Sequence, residues 1–295
     1  MVVVLMSTYN GGKYLQEQLH SLMQQKNVEF EILVRDDGST DSTCDILNEW
    51  QNKGLLTWYK GENKGPAYSF LDLIYKAPDA DYYAFCDQDD VWSPEKLQVA
   101  VNSLCVERAA LYFSQTQMVD ANLNPIKTPV LNPKIVIEEA VINYYVTGCT
   151  VVFNRRLRSY VKEYRPSFIV MHDLWCYLIC LCVGGEIVYD PCPHIYYRQH
   201  SDNVVGLKRG LVKEWKRRIV NCFLSKERLR SRTVNELLLG YGKYLPENKR
   251  KFLFMIQSYR NNTLSCFKLL FSSKVMPINI TRNLLFRISV LLRIF

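Results

Sequence analysis

The sequence lacks any stretch of 18 uncharged apolar residues, so we do not expect a helix that spans a membrane. The apolar run Val2 to Met6 is too short for the core of a secretory signal peptide. With 13 glycines and 11 prolines in 295 residues, the chain is neither collagen-like nor of low complexity. These absences predict a globular protein that stays in the cytosol.

Paired CxxC knuckles are also missing, although the chain contains ten cysteines. The densest group is Cys176, Cys180, Cys182 and Cys192. The first three lie in an apolar run that predicts a single buried helix, on which Cys182 would face away from the other two. A zinc site is therefore disfavoured, and we expect reduced thiols that pack as small apolar groups.

Charge is divided unevenly along the chain. Residues 1–200 contain 17 basic and 24 acidic side chains, whereas residues 201–295 contain 20 basic and 5 acidic ones. An acidic body with a basic end predicts two roles, the second being contact with an anionic surface. No DNA- or RNA-binding module is recognisable, so we expect no nucleic acid partner.

Up to about residue 105, short apolar runs alternate with amphipathic stretches of helical period. This alternation predicts an α/β fold, a mostly parallel sheet flanked by helices on both faces. Farther along, Ala110–Val119 is predicted to be one strand, and everything from Lys208 onward is predicted to be helical. We expect a catalytic domain over residues 1–206 and a basic helical extension over residues 207–295.

Three polar loops follow predicted strands, where ligands of open parallel sheets bind. The first, Ser7–Gly12, has neither the GxGxxG pattern of dinucleotide folds nor the GK[ST] ending of a P-loop. The second, Arg35–Asp41, is partly explained as a turn and helix cap. Its adjacent acids, Asp36 and Asp37, are expected to repel each other unless a polar group binds them.

The third loop has the sharpest pattern, since Asp87, Asp89 and Asp90 lie within four positions after an apolar strand. Burying several carboxylates together is prohibitive without a cation. Oxygen donors with no nearby His or Cys favour Mg²⁺ or Mn²⁺, which bridges substrate phosphates. The alternative is a solvated acidic turn in which Asp90 or Ser93 caps the next helix.

Taken in order, these motifs resemble family 2 glycosyltransferases of GT-A (Rossmann-like) fold, and most of all the bacterial rhamnosyltransferase-like branch that builds surface polysaccharides. The resemblance covers about residues 1–206. The motifs that carry it are Ser7-Thr8-Tyr9-Asn10-Gly11, Asp36-Asp37-Gly38-Ser39-Thr40-Asp41, Asp87-Gln88-Asp89-Asp90, Thr147-Gly148-Cys149-Thr150, His172-Asp173-Leu174-Trp175 and Tyr197-Arg198-Gln199-His200.

The resemblance implies a nucleotide site lined by Thr8 and Asn10, with Asp37 against the base. It implies that Asp87 and Asp89 form the DxD pair, Asp89 binding the Mn²⁺ or Mg²⁺ ion and Asp87 lying nearer the ribose.

It further implies that Asp173 is the general base of an inverting reaction, and that Arg198 and His200 approach the diphosphate and the metal. The alternatives are a helix N-cap for Asp173, a surface ion pair for Arg198 and an ordinary loop histidine for His200.

The basic end mixes cations with large apolar residues, most clearly in Lys213–Ile219 and Ile278–Phe295. This pattern favours a helix that lies in the interface of an anionic membrane. The alternative is a tail that packs on the catalytic body or on a second copy, so an oligomer is possible.

Together these features predict a metal-dependent enzyme on the inner face of the cell membrane. We expect it to transfer a sugar from a nucleotide-diphosphate donor to a lipid-linked or growing glycan. The rival from another class is a non-catalytic nucleotide- or carbohydrate-binding protein of the same fold. Loss of turnover after substitution of Asp173, with binding retained, would distinguish the enzyme from the binding protein.

Overall fold

The computed structural model describes residues 1–143, 145–199, 229–272, 286–288, 290 and 291. The strands are β1 (Val2–Thr8), β2 (Phe30–Asp36), β3 (Thr57–Lys60), β4 (Tyr82–Cys86), β5 (Val91–Trp92), β6 (Ala110–Ser114), β7 (Gln117–Val119), β8 (Val152–Asn154), β9 (Glu186–Asp190) and β10 (Ile195–Arg198). The helices are α1 (Leu15–Met23), α2 (Thr43–Asn52), α3 (Gly65–Lys76), α4 (Lys96–Ser103), α5 (Ile137–Ala140), α6 (Arg155–Glu163), α7 (His172–Cys182), α8 (Leu229–Tyr241), α9 (Glu247–Ser258) and α10 (Thr263–Leu270). Short 3-10 helices cover Gly148–Thr150 and Gly242–Tyr244.

The main sheet has seven strands in the order β3-β2-β1-β4-β8-β6-β9. Strands β3, β2, β1 and β4 are parallel, and β8 runs antiparallel between β4 and β6. Residues Val2 to Met6 of β1 are fully buried, because helices cover both faces of a central parallel strand. The fold is therefore a mostly parallel sheet flanked by helices, as the alternating pattern predicts.

The predicted single strand Ala110–Val119 is wrong. It is two strands, β6 in the main sheet and β7 in a second sheet of order β5-β10-β7. The break falls at Gln115, whose backbone N–H donates to the carbonyl of Asp190 at the end of β9. The apolar run hides this change of sheet, since both strands contain residues buried against the core.

Helices α8 to α10 extend the core of the body rather than forming a separate one. Val234, Leu237 and Tyr241 of α8 belong to the same buried cluster as Trp175 of α7. The Tyr241 hydroxyl donates to the carbonyl of Tyr160 at 2.9 Å. The described part of the basic end is therefore helical and packed on the body, while the boundary at residue 206 lies outside the described residues and stays a prediction.

Cys176, Cys180 and Cys182 are free thiols buried on α7, as expected, whereas Cys192 is exposed. Within the described ranges, no helix combines the length and hydropathy that a membrane span requires. The basic segment Lys213–Ile219 and most of Ile278–Phe295 lie outside the described residues.

Candidate active site

The three polar loops meet at the carboxyl edge of the main sheet. The backbone N–H of Tyr9 donates to Oε1 of Gln88 at 2.8 Å, and Nε2 of Gln88 donates back to the carbonyl of Tyr9 at 3.0 Å. The N–H of Asp37 donates to the carbonyl of Thr8 at 2.7 Å. Strands β2 and β4 flank β1, so the register of the sheet brings the three loop starts side by side.

Thr8 and Asn10, predicted to line a nucleotide site, hold the first loop against the second. The hydroxyl of Thr8 donates to Oδ2 of Asp36 at 3.1 Å. The side-chain Oδ1 of Asn10 accepts from the N–H of Thr40 at 2.9 Å. Asn10 has a φ of 48°, a left-handed conformation that asparagine tolerates better than most residues. It is exposed at the edge where a ligand would approach.

The adjacent acids of the second loop find their polar partners within the protein. Asp36 is fully buried and accepts from the N–H groups of Gly38 and Ser39. Asp37 is 2 % exposed, forms an ion pair with Arg35, and accepts from the N–H of Lys64 at 3.0 Å. The repulsion that we expected between these acids is therefore offset without a ligand, and the base contact of Asp37 stays a prediction.

The third loop gathers Asp87 and Asp90 with Cys149 rather than with Asp89. One donor atom from each of these three residues lies within 4.8 Å of the other two. The 3-10 helix Gly148–Thr150 brings the thiol of Cys149 beside these two carboxylates, a sulfur group that the expected oxygen-only set did not include. The roles that the resemblance implies, Asp89 as metal ligand and Asp87 nearer the ribose, stay predictions.

Burial and mutual repulsion mark this loop as an unusual electrostatic environment. Burial first, then the charges of Asp89 and Asp173, raise the pKa of Asp87 to about 7. Burial, together with Asp89 and Asp87, raises the pKa of Asp90 well above its usual range. Oδ2 of Asp90 is buried without a hydrogen-bond partner among the described residues. Carboxyl groups whose pKa is raised by burial and by neighbouring acids are typical of sites that bind a cation.

Asp173 lies beside this acidic loop, in the first turn of α7, and is 2 % exposed. It is not the helix N-cap, a position that Met171 occupies, so that alternative is wrong. Its Oδ1 accepts from the N–H of Leu174 at 2.7 Å. Its charge acts on Asp87, which places the candidate base next to the acidic loop.

Gly148 has no side chain, which leaves room for the carboxylate of Asp173. A Cβ at position 148 would lie 3.0 Å from Nε2 of His172 and 3.2 Å from Oδ2 of Asp173. His172 is 2 % exposed and its ring is stacked 3.9 Å from that of Phe70. The contact explains why a glycine precedes the thiol of Cys149.

Arg198 is buried rather than part of a surface ion pair, and its guanidinium binds groups of the protein itself. Nε donates to the carbonyl of Asp89 at 2.8 Å, Nη1 donates to the carbonyl of Ala121 at 2.6 Å, and Nη2 pairs with Glu17. Its backbone N–H also donates to Oδ1 of Asp90 at 3.0 Å. Arg198 therefore holds the acidic loop, and its approach to a diphosphate stays a prediction.

His200, the other predicted metal ligand, lies outside the described residues. Several residues near the site had no signal in the sequence. Lys96 is an isolated cation in an amphipathic helix, and Glu17 is one of many surface acids. Gly148 and Cys149 belong to the motif Thr147-Gly148-Cys149-Thr150, but only the structure shows that Gly148 lies against Asp173 and that Cys149 lies beside Asp87 and Asp90.

The chain matches a family model described as glycosyl transferase family 2 over residues 3–165. It is 29 % identical over 232 residues to "dTDP-rhamnosyl transferase RfbG" of Shigella flexneri, covering 72 % of this chain and 77 % of that protein. It is 24 % identical over 208 residues to "UDP-Glc:alpha-D-GlcNAc-diphosphoundecaprenol beta-1,3-glucosyltransferase WfaP" of Escherichia coli, covering 70 % and 81 %.

Among solved structures, residues 1–349 of TarS from S. aureus, in complex with UDP-GlcNAc, are similar with a TM-score of 0.57 and 17 % identity, over 88 % of this chain and 91 % of that one. A mannosyltransferase from Pyrobaculum calidifontis, in complex with GDP-Man and Mn²⁺, is similar with a TM-score of 0.52 and 16 % identity, over 100 % and 80 %. These likenesses support the GT-A fold. Because the family model covers more than half of the chain, this protein belongs to glycosyl transferase family 2 and is a glycosyltransferase acting on nucleotide sugars.

Proposed function

We propose that this enzyme transfers a sugar from a nucleotide-diphosphate donor to a lipid-linked glycan, with a divalent cation at the acidic loop and Asp173 as general base. The observation that carries the proposal is the meeting of the three loops at one sheet edge, with Asp173 beside Asp87. The S. flexneri relative is named for a dTDP-rhamnosyl donor and the E. coli relative for a diphosphoundecaprenol-linked acceptor.

The residues present fit a divalent cation. A buried carboxylate oxygen without a partner on Asp90, and the raised pKa of Asp87, both indicate unbalanced negative charge. Asp89 would bind the ion together with His200, and Asp87 would lie toward the ribose. When bound, Mn²⁺ or Mg²⁺ would neutralise charge on the departing diphosphate.

The donor would lie along the edge formed by the first two loops. Thr8 and Asn10 would line the nucleotide and Asp37 would contact the base, close to the N–H groups that its carboxylate already binds. Arg198 fixes Asp89 and Asp90 through the contacts described above, so it would keep the acidic loop aligned with the diphosphate.

Asp173 would take the proton from the acceptor hydroxyl as that oxygen attacks the anomeric carbon. The bond between the anomeric carbon and the diphosphate oxygen breaks with its electron pair leaving on the nucleoside diphosphate. Attack opposite the leaving group inverts the configuration of the anomeric carbon. No second carboxylic acid is needed, because the diphosphate is a good leaving group once its charge is neutralised.

The C-terminal part suits an anionic lipid surface, where a lipid-linked acceptor is presented. From residue 248 to residue 295 the sequence has nine basic and no acidic residues, a composition that favours contact with an anionic surface. Leu264 and Phe267 of α10, and Phe271 directly after it, are more than half exposed at helical spacing. This apolar face, flanked by cations, is the peripheral membrane contact that we propose.

The experiment that tests the function is a thermal-shift panel of UDP-, GDP- and dTDP-sugars, each with Mn²⁺, Mg²⁺ or EDTA. A true donor raises the melting temperature only with the metal, since a ligand that binds the native state stabilises it by mass action. Transfer by the stabilising donor to a diphospholipid acceptor must then stop in EDTA. Undiminished transfer in chelator would overturn the role of the metal, and donor binding without any transfer would favour the binding-protein alternative.

A further inference from the structure

The α6–α7 loop, residues 164–171, leads directly into the helical turn that contains Asp173, and it lies against α8. Arg232 and Glu236 of α8 are four positions apart, so they face the loop from the same side of the helix. The guanidinium of Arg232 lies 3.9 Å from the centroid of the Phe168 ring. A helix of the C-terminal part therefore contacts the approach to the candidate base, through side chains that the proposed reaction does not use.

Glu236 is 5 % exposed, and the α6–α7 loop supplies donors to both of its carboxylate oxygens. Oε2 accepts from the hydroxyl of Tyr164 at 2.8 Å and from the backbone N–H of Ser167 at 2.9 Å. Oε1 accepts from the hydroxyl of Ser167 at 2.6 Å. Gly240, four positions farther along α8, leaves room for the Tyr164 ring, which would lie 2.7 Å from a Cβ there. Since a buried carboxylate is costly without such donors, Glu236 specifies where the loop lies.

The α6–α7 loop is also held by α3. The hydroxyl of Tyr68 donates to the carbonyl of Ser167 at 3.3 Å, and the N–H of Ile169 donates to that hydroxyl at 3.4 Å. Ile169 is 4 % exposed, so the chain is anchored in the core before it reaches Met171, the N-cap of α7. Asp173 follows Ser167 by only six positions. The position of the loop is therefore passed on to the first turn of α7.

We propose that Glu236 is a positioning residue, which fixes the first turn of α7 through the α6–α7 loop and so sets the place of Asp173. Its carboxylate acts on geometry and takes no part in proton transfer. The C-terminal helices then serve the reaction as well as the proposed membrane contact. The inference rests on the proposed function for the role of Asp173 as base, but not for the structural link between Glu236 and α7.

Amide hydrogen exchange tests this link without any substrate. The N–H of Trp175 donates to the carbonyl of Met171 at 3.0 Å, so its exchange rate reports whether the first turn of α7 is formed. Glu236→Ala should speed this exchange at least about tenfold relative to that of Val4, which lies in the fully buried strand β1 and reports global unfolding. Tyr241→Phe is the matched control on α8: it removes the hydrogen bond to a carbonyl of α6, outside the loop, and should leave the ratio unchanged.

Turnover gives the second measurement, with the donor that the thermal-shift panel identifies and a diphospholipid acceptor. Glu236→Ala should lower kcat at least about tenfold, because a base that is displaced by a fraction of an ångström loses its alignment with the acceptor hydroxyl. Donor binding, measured by calorimetry, should stay at the wild-type level. Glu236→Gln keeps one acceptor oxygen and should recover part of the lost kcat, whereas Tyr241→Phe should turn over as the wild type does.

The same hydrogen bonds can be removed from the side of the loop if Glu236→Ala does not fold. Tyr164→Phe combined with Ser167→Ala deletes both hydroxyl donors and should also speed exchange at Trp175. In a folded Glu236→Ala protein these two substitutions should change the exchange no further, because their shared partner is already absent.

Exchange at Trp175 that rises no more than exchange at Val4 would overturn the positioning role of Glu236. A wild-type kcat in Glu236→Ala, under conditions in which the wild type transfers sugar, would overturn it as well. The fate of the proposed function is separate. A wild type that transfers no sugar, together with faster exchange at Trp175 in Glu236→Ala, would contradict the function and retain the link between α8 and α7.

Discussion

Asp90 and Arg198 are joined by a hydrogen bond of 3.0 Å from the backbone N–H of the arginine to Oδ1 of the aspartate. The contact ties the acidic loop after β4 to the end of β10, in the second sheet. The same arginine binds the carbonyl of Asp89 through its side chain. The position of the acidic loop therefore depends on a residue more than a hundred positions away.

Replacing Arg198 with Gln should lower the free energy of unfolding by about 3 kcal/mol, because the buried carbonyl groups and Glu17 lose a charged partner. The donor KM should rise as the loop loses its alignment. Denaturant unfolding and donor titration check the two effects. Arg198→Gln with wild-type stability would show that the arginine does not hold the loop.

Asp173→Asn should reduce kcat about 10²- to 10⁴-fold, since the amide cannot accept the proton of the acceptor hydroxyl. Donor binding, measured by calorimetry, should stay at the wild-type level. Asp45→Asn, an exposed carboxylate on α2, is the control and should change neither quantity. Wild-type turnover in Asp173→Asn would remove this residue from the mechanism.

Gly148→Ala should lower kcat more than it weakens donor binding. The new methyl group meets His172 at 3.0 Å and Asp173 at 3.2 Å, so those side chains must move away from their positions beside the acidic loop. Gly242→Ala is the control, since its nearest neighbour would be at an ordinary 3.8 Å. Equal effects of the two substitutions on kcat would contradict the spacing role of Gly148.

His172 should make stability fall in mild acid. Burial lowers its folded-state pKa to about 3 from 6.5, so the imidazole stays neutral in the native state while the unfolded chain takes up a proton. The stabilisation is present above pH 6.5 and is lost as the pH falls toward 3. Between pH 7 and pH 5 the contribution of His172 should fall by about 2 kcal/mol, whereas the pKa of Asp87, raised to about 7, gives a contribution of opposite sign that grows as the pH falls.

Urea unfolding across this pH range measures the effect: relative to the wild type, His172→Gln, which cannot titrate, should be about 2 kcal/mol more stable at pH 5 than it is at pH 7. Identical slopes for the two proteins would mean that His172 is not the group responsible.

Substituting Leu264, Phe267 and Phe271 with Ser should release the protein from phosphatidylglycerol vesicles. The partition coefficient should fall at least about tenfold, because three apolar side chains no longer enter the interface. Leu239→Ser, on α8 and 66 % exposed, is the control and should bind as the wild type does. Co-sedimentation measures binding, and light scattering measures mass in solution.

Unchanged sedimentation of the triple variant would refute the membrane contact. A dimeric wild type that becomes monomeric in the triple variant would assign the face to a second copy instead.

The sequence predicted most of the body because its signals are local. Alternating apolar and amphipathic runs predicted β1 to β4 and the helices between them, and apolar strand ends followed by acids located the loops. The prediction of a single strand over Ala110–Val119 was wrong. Which sheet each half joins depends on the hydrogen bond between Gln115 and Asp190, not on hydropathy. Helix α5 and strand β5 were missed, being too short to show a period.

By itself the sequence determined the fold class, the order of the three loops and the family motifs, since period and turn chemistry act between neighbours along the chain. The tertiary structure decided which charges balance which. It satisfied Asp36 and Asp37 internally, committed Arg198 to the acidic loop, and placed Cys149 beside Asp90. Electrostatic energies depend on distance and burial in space, and neither quantity is encoded in the spacing of residues along the chain.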